Sequence, residues 1–128
     1  MGYYQFFNPN PRHQKPVGDC VIRALSKALN IPWESAYLDM SMEGYDRGDM
    51  PSSNSVLDAY LRSKGFRKYV IPNDSPSCYT FADFAGEHFK GTYIVCTGSH
   101  VACIDSGLIW DSWDSSECCP IYYYERRT

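Results

Sequence analysis

Three side chains in this sequence have the types and chain order for nucleophilic chemistry. Cys20 stands in Gly18-Asp19-Cys20-Val21-Ile22-Arg23-Ala24, where a loop gives way to apolar residues at helical spacing. A thiol at a helix N-terminus meets exposed N–H groups and the positive end of the helix dipole. Both favour the thiolate, the reactive form of a group whose ordinary pKa is about 8.5. Gly18 keeps bulk away from the sulfur, and Arg23, one turn on, either adds positive potential or faces solvent. His100 opens an apolar strand in Ser99-His100-Val101-Ala102-Cys103-Ile104 and is the candidate base. Asp111 lies on the next strand.

A base needs an orienting partner. A hairpin centred between Asp105 and Ser106 puts His100 directly opposite Asp111, with Cβ atoms ~5 Å apart on one face. Asp111 then accepts a hydrogen bond from the ring, fixes its tautomer and stabilises the imidazolium. Asp114 is the alternative carboxylate. Acyl transfer also needs donors for an oxyanion. The backbone N–H of Cys20 is one. Gln14, six residues upstream, is a candidate second, with Asn10 or His13 able to take its place.

These residues need elements to position them. Residues 1–18 read as an extended arm rich in Pro, Asn and aromatics. Residues 19–29 form a helix with Val21, Ile22, Leu25, Ala28 and Leu29 on its apolar face, Asp19 as its cap, and Asn30 with Pro32 as its stop. Pro32 starts a second helix with Trp33, Ala36, Tyr37 and Met40 inward. Residues 41–51 show no period and two glycines, and are expected to be a loop. A third helix follows a serine cap at Ser52 or Ser53, carries Val56, Leu57, Tyr60 and Leu61, and ends at Gly65. The period then changes. Strands are expected at Phe66–Ile71, Thr92–Thr97, Ser99–Ile104, Leu108–Trp113 and near Pro120–Glu125. A short helix after Thr80 runs through Phe81, Phe84 and Phe89. Gly107 takes a left-handed bulge position in the turn Asp105-Ser106-Gly107. Helices first and strands after give an α+β fold, and 128 residues fit a single domain over 1–128.

Composition excludes several functions. A net charge of -3 lacks the basic face of a nucleic-acid binder. No apolar run reaches the ~18 residues of a membrane span, and the N-terminus lacks the basic start and apolar core of a signal peptide. The chain therefore reads as cytoplasmic, and its six cysteines as free thiols, mostly small hydrophobes inside strands. Cys118 and Cys119, alternating on a strand, are not expected to bridge each other. No metal-binding knuckle, phosphate loop or dinucleotide fingerprint is present, so no cofactor or metal is expected. His88 is expected to complement a helix end, and Trp110 and Trp113 to form core or cleft wall.

The set Gln14, Cys20 at a helix start, His100 and then Asp111 resembles the papain-like cysteine peptidase pattern. Gly18-Asp19-Cys20-Val21-Ile22-Arg23-Ala24 and Trp110-Asp111-Ser112-Trp113-Asp114 also resemble a group of small papain-fold proteins of bacteria and phages. The resemblance spans about residues 14–114. It implies an N-terminal helix bearing Cys20 packed on a C-terminal antiparallel β-sheet bearing His100 and Asp111, with the active site between them. It implies a thiol hydrolase that cleaves a peptide or isopeptide bond of a peptide or protein substrate through an acyl-enzyme. The sequence departs from papain in three ways: no aromatic follows the cysteine, the third member is Asp rather than Asn, and the chain is much shorter. Two alternatives stand beside hydrolysis. One is a catalytically silent interaction protein of the same fold, such as a phage factor binding a host protein. The other is acyl transfer on the same residues.

Overall fold

The computed structural model describes residues 2–12, 17–72 and 78–126. Along the chain these form β1 (Tyr4–Phe6), α1 (Cys20–Leu29), α2 (Trp33–Arg47), α3 (Asn54–Ser63), β2 (Phe66–Val70), α4 (Phe81–Glu87), β3 (Thr92–Cys96), β4 (Val101–Asp105), β5 (Leu108–Asp111) and β6 (Tyr122–Arg126). The fold is α+β: among the described residues there are four helices and one six-stranded sheet of order β1-β5-β4-β3-β6-β2, with α2 packed on α1 and α3 rather than on the strands.

The sheet is mixed rather than purely antiparallel. β1 pairs with β5 in parallel, Tyr4 facing Ile109 and Phe6 facing Asp111. The other pairings are antiparallel. The N-terminal segment is thus partly an edge strand of the sheet, not only an extended arm. Its three residues carry no long apolar alternation, so little in the sequence marked it as a strand.

Strands β3 and β4 are buried on both faces, which is why they read as continuous apolar runs. Side chains alternate across a strand. Ile94, Cys96, Val101 and Cys103 join Tyr124 in a core beneath α1, α2 and α3. Tyr93, Val95, Ala102, Ile104 and Ile109 join Phe81, Phe84 and Ala85 of α4 on the opposite face. The sheet is therefore sandwiched, with α1 against β3, β4 and β5.

Helix ends follow the sequence signals in part. Asn30 takes the left-handed conformation after α1 (φ 55°). The Ser53 side chain accepts from Ser55 N–H at the start of α3, and Thr80 and Asp83 form a capping box on α4. α4 stops at Glu87, leaving Phe89 66% exposed rather than helical. α2 does not stop at Met40 but runs to Arg47, so much of the expected 41–51 loop is helix. Gly44 fits inside it because the chain folds back: an added Cβ would meet Asp49 O at 2.7 Å. Ala36, Met40 and Gly44 face inward, while Tyr37, expected inward, is half exposed.

The cysteines differ from expectation. Cys78 and Cys119 form a disulfide, with Cα atoms 6.0 Å apart. Both lie in loops flanking α4 and β6, not in strands as small buried hydrophobes. Cys96 and Cys103 are buried strand thiols, and Cys20 and Cys118 are free and half-buried. No helix among the described residues is long and apolar enough to cross a membrane.

Candidate functional site

The β4–β5 hairpin turns through Ser106 and Gly107, both at positive φ (54° and 78°). Asp105 pairs with Leu108 and Cys103 with Trp110. This is a two-residue type I′ turn, not a three-residue turn with a bulge. The ladder is therefore centred between Ser106 and Gly107, and Cys103 faces Trp110 where the expected register gave Leu108. A shift of two keeps every side chain on its face. His100, just before β4, and Asp111, at the end of β5, become diagonal neighbours on one face. They still meet: His100 Nε2 lies 2.8 Å from Asp111 Oδ2. Asp114 is not the partner, since its carboxylate is engaged with Ser116.

Asp111 is fully buried (0% exposed). It accepts from Arg23 Nε at 3.1 Å and Arg23 Nη2 at 2.8 Å, both on Oδ1. Ser112 N–H reaches the same oxygen at 2.8 Å. Ser115 Oγ donates to Oδ2 at 2.6 Å beside His100. Burial alone would raise its pKa, but the His100 and Ser115 hydrogen bonds and the charges of His100 and Arg23 hold it below the usual carboxylate range.

Arg23 carries the network back to α1, the helix that Cys20 begins. It is 2% exposed and does not face solvent. Its third nitrogen pairs with Asp19, one turn earlier. Asp19 makes no side-chain cap for α1. Instead it accepts from Arg23, from Trp33 Nε1 at 2.9 Å and from Asn10 Nδ2 at 3.4 Å. A planar guanidinium can bridge two carboxylates in this way, and an ammonium cannot match it. The signal for this pair was present: an Asp and an Arg four residues apart share a helix side, with Arg23 embedded between Ile22, Ala24 and Leu25. Ser115 carried no comparable sequence signal.

Cys20 is the first residue of α1, beside His100. Burial raises its thiol, but a hydrogen bond with His100, the backbone N–H of Val101 and the charges of His100 and Arg23 more than offset this. The net pKa lies below the ordinary value. His100 moves the other way. Burial lowers it, yet its bonds to Asp111 and Cys20 and their charges push it up to about 9. The pair is thereby biased toward thiolate and imidazolium. The other free thiols move oppositely: burial pushes Cys96 up to about 12 and raises Cys103 and Cys118.

Around the pair, Trp113 covers one side of His100 with ring centroids 4.7 Å apart, and Phe81 of α4 stacks at 6.4 Å. A cavity of about 430 Å³ opens beside the sulfur, lined by Gly18, Ile22, Tyr37, Pro51, Asn54 and Gly98 among others. Gly18 borders this cavity, but a Cβ added there would meet nothing within 4 Å, the sulfur included, so access to the sulfur does not depend on glycine at this position. Gln14 and His13 lie outside the described residues. Asn10 is committed to Asp19 and to Arg12 N–H. His88 bonds Phe84 O and stacks on Phe84, away from the Cys20 site. Trp110 lies under Lys27, whose ammonium is 3.7 Å from the ring centre. No cluster of three metal-ligating side chains occurs among the described residues. Compared with known proteins, the chain matches no family profile, no curated protein and no solved structure.

Proposed function

We propose that this protein is a thiol hydrolase of papain-like arrangement, with Cys20 as nucleophile, His100 as acid–base and Asp111 as the orienting group. The observation that carries the reading is the junction of these three side chains. A thiol on the first turn of α1 pairs with an imidazole whose far nitrogen is held by a buried carboxylate at 2.8 Å. With Nε2 committed to Asp111, Nδ1 is the nitrogen left to exchange a proton with the sulfur. The Cys20 thiolate attacks an amide or isopeptide carbonyl, His100 passes its proton to the leaving amine, and water then releases the acyl group. The backbone N–H of Cys20, with Gln14 as the second candidate, serves the oxyanion. The helix bearing Cys20 packs on the sheet bearing His100 and Asp111, which suits the papain-like reading. The substrate is a peptide or protein whose chain lies in the cavity beside Cys20. A cytoplasmic setting belongs to the same proposal, although a disulfide is uncommon in reducing compartments.

The test is acyl-enzyme trapping. The protein is mixed with a p-nitrophenyl ester of an N-acylated amino acid and followed by intact and peptide mass spectrometry. Acylation confined to Cys20, slowed by His100→Ala and abolished by Cys20→Ala, is the expected result. Acylation spread equally over Cys20 and Cys118 contradicts the proposal.

A further inference from the structure

The outward side of α2 is apolar. Leu38, Met42 and Tyr45, four and three residues apart, share one face, opposite the buried Ala36, Met40 and Gly44. They are 65%, 59% and 82% exposed, and Met50 just beyond the helix is 67% exposed. Isolated exposed apolar residues are ordinary, but a stripe of them on one element marks an interaction site.

Two observations identify the occupant. First, the stripe adjoins the candidate cleft: Tyr37 and Ser41, each next in the chain to a stripe residue, line the cavity beside Cys20. Second, its border is acidic. Asp39, Glu43 and Asp46 flank it on the side away from the cleft, and Glu34 stands near one end. Arg47 offsets Glu43, with which it pairs at 2.5 Å, and Lys64 stands beside Asp39 and Asp46, so with Glu34 four carboxylates meet two cations and the border remains net acidic. Such a border repels an anionic membrane surface and attracts a basic one.

We propose that this face of α2 docks the protein substrate of the Cys20 site, through an apolar patch of that protein bordered by Lys and Arg. The inference rests on the hydrolase reading for the word substrate, and not for the docking itself. A cavity of about 430 Å³ holds only a few residues. Adding the stripe extends the contact toward the ~800 Å² per partner of a specific protein interface.

The test uses two synthetic helical peptides of roughly 16 residues. They share one leucine stripe, bordered by Lys in one and by Glu in the other. Binding is read by fluorescence anisotropy against wild type and a Leu38→Gln/Met42→Gln/Tyr45→Ser variant. The Lys peptide is expected to bind wild type at least about tenfold tighter than the Glu peptide, and to lose about tenfold or more on the variant. The bound Lys peptide is also expected to slow labelling of Cys20 by a bulky maleimide, because docking lies beside the cleft. All three substitutions are on an exposed face, so the variant keeps its melting temperature and its Cys20 reactivity toward iodoacetamide. Equal binding by the two peptides, or by wild type and variant, overturns the proposal. So does a wild-type dimer that the variant dissolves, which makes the stripe a self-association face. Slow iodoacetamide labelling of Cys20 with intact, charge-selective peptide binding overturns the hydrolase reading alone.

Discussion

His100 Nε2 and Asp111 Oδ2 lie 2.8 Å apart although the two residues are diagonal, not opposed, across the β4–β5 ladder. The contact is possible because both stand at the open end of the hairpin, where His100 precedes the strand and Asp111 ends it. Removing the carboxylate therefore acts on the ring directly. In Asp111→Asn, the His100 pKa is expected to fall from about 9 toward the ordinary value near 6.5. Its histidine NMR titration checks this, and alkylation of Cys20 at neutral pH slows roughly tenfold or more. An unmoved His100 titration means that Asp111 does not set it.

Arg23 holds Asp19 and Asp111 together inside the protein. Breaking a buried ion pair by removing one partner leaves the other uncompensated, at about 3–5 kcal/mol. Arg23→Met is expected to lose stability on that scale in urea denaturation. Arg23→Lys should recover part of it, since charge survives but the two-sided fork does not. A loss below ~1 kcal/mol for Arg23→Met would mean the network is not closed as described.

The acid limb of stability has a definite sign. The Asp111 pKa is depressed in the folded state. Its contribution is present in full above the unfolded carboxylate value near 4 and is lost as pH falls through the lower folded value. Wild type is expected to lose stability below pH ~4 with a steeper slope than Asp111→Asn. Denaturation midpoints at several acidic pH values read the difference, and parallel curves contradict it.

The disulfide predicts a thiol count. With Cys78 and Cys119 paired and four cysteines free, the unfolded, unreduced protein titrates four thiols and the reduced protein six. Opening a link between residues 41 apart in sequence costs ~4 kcal/mol by loop-closure entropy. Cys78→Ser/Cys119→Ser is expected to melt earlier, and six thiols before reduction would contradict the pairing.

Much of this was legible in the sequence. The change from helical spacing to short apolar, strand-like runs pointed to the α+β class and the order of most elements. The loop-to-helix switch at Gly18-Asp19-Cys20 located the thiol that is now seen beside His100. Two features were hidden for physical reasons. α2 lost its amphipathic period after Met40 because its outer face, Met42 and Tyr45, is as apolar as its inner one, and because Gly44 mimics a breaker while admitting a close backbone. The hairpin register was hidden because it depends on which two residues form the turn: Ser106 and Gly107 both take positive φ, which moves the centre of the ladder one residue beyond the expected Asp105-Ser106. The contact survived the error because side-chain direction has period two. The disulfide joins residues that no local pattern brings together.

The central claim is that Cys20 is an activated thiolate paired with His100. Iodoacetamide labelling of the native protein from pH 5 to 10, resolved by cysteine with mass spectrometry, tests it most directly. The account predicts that near pH 7 Cys20 reacts at least about tenfold faster than Cys118, with a pH midpoint below the ordinary ~8.5 that returns upward in His100→Ala. Labelling of Cys20 no faster than Cys118, or a midpoint that His100→Ala leaves in place, would contradict it.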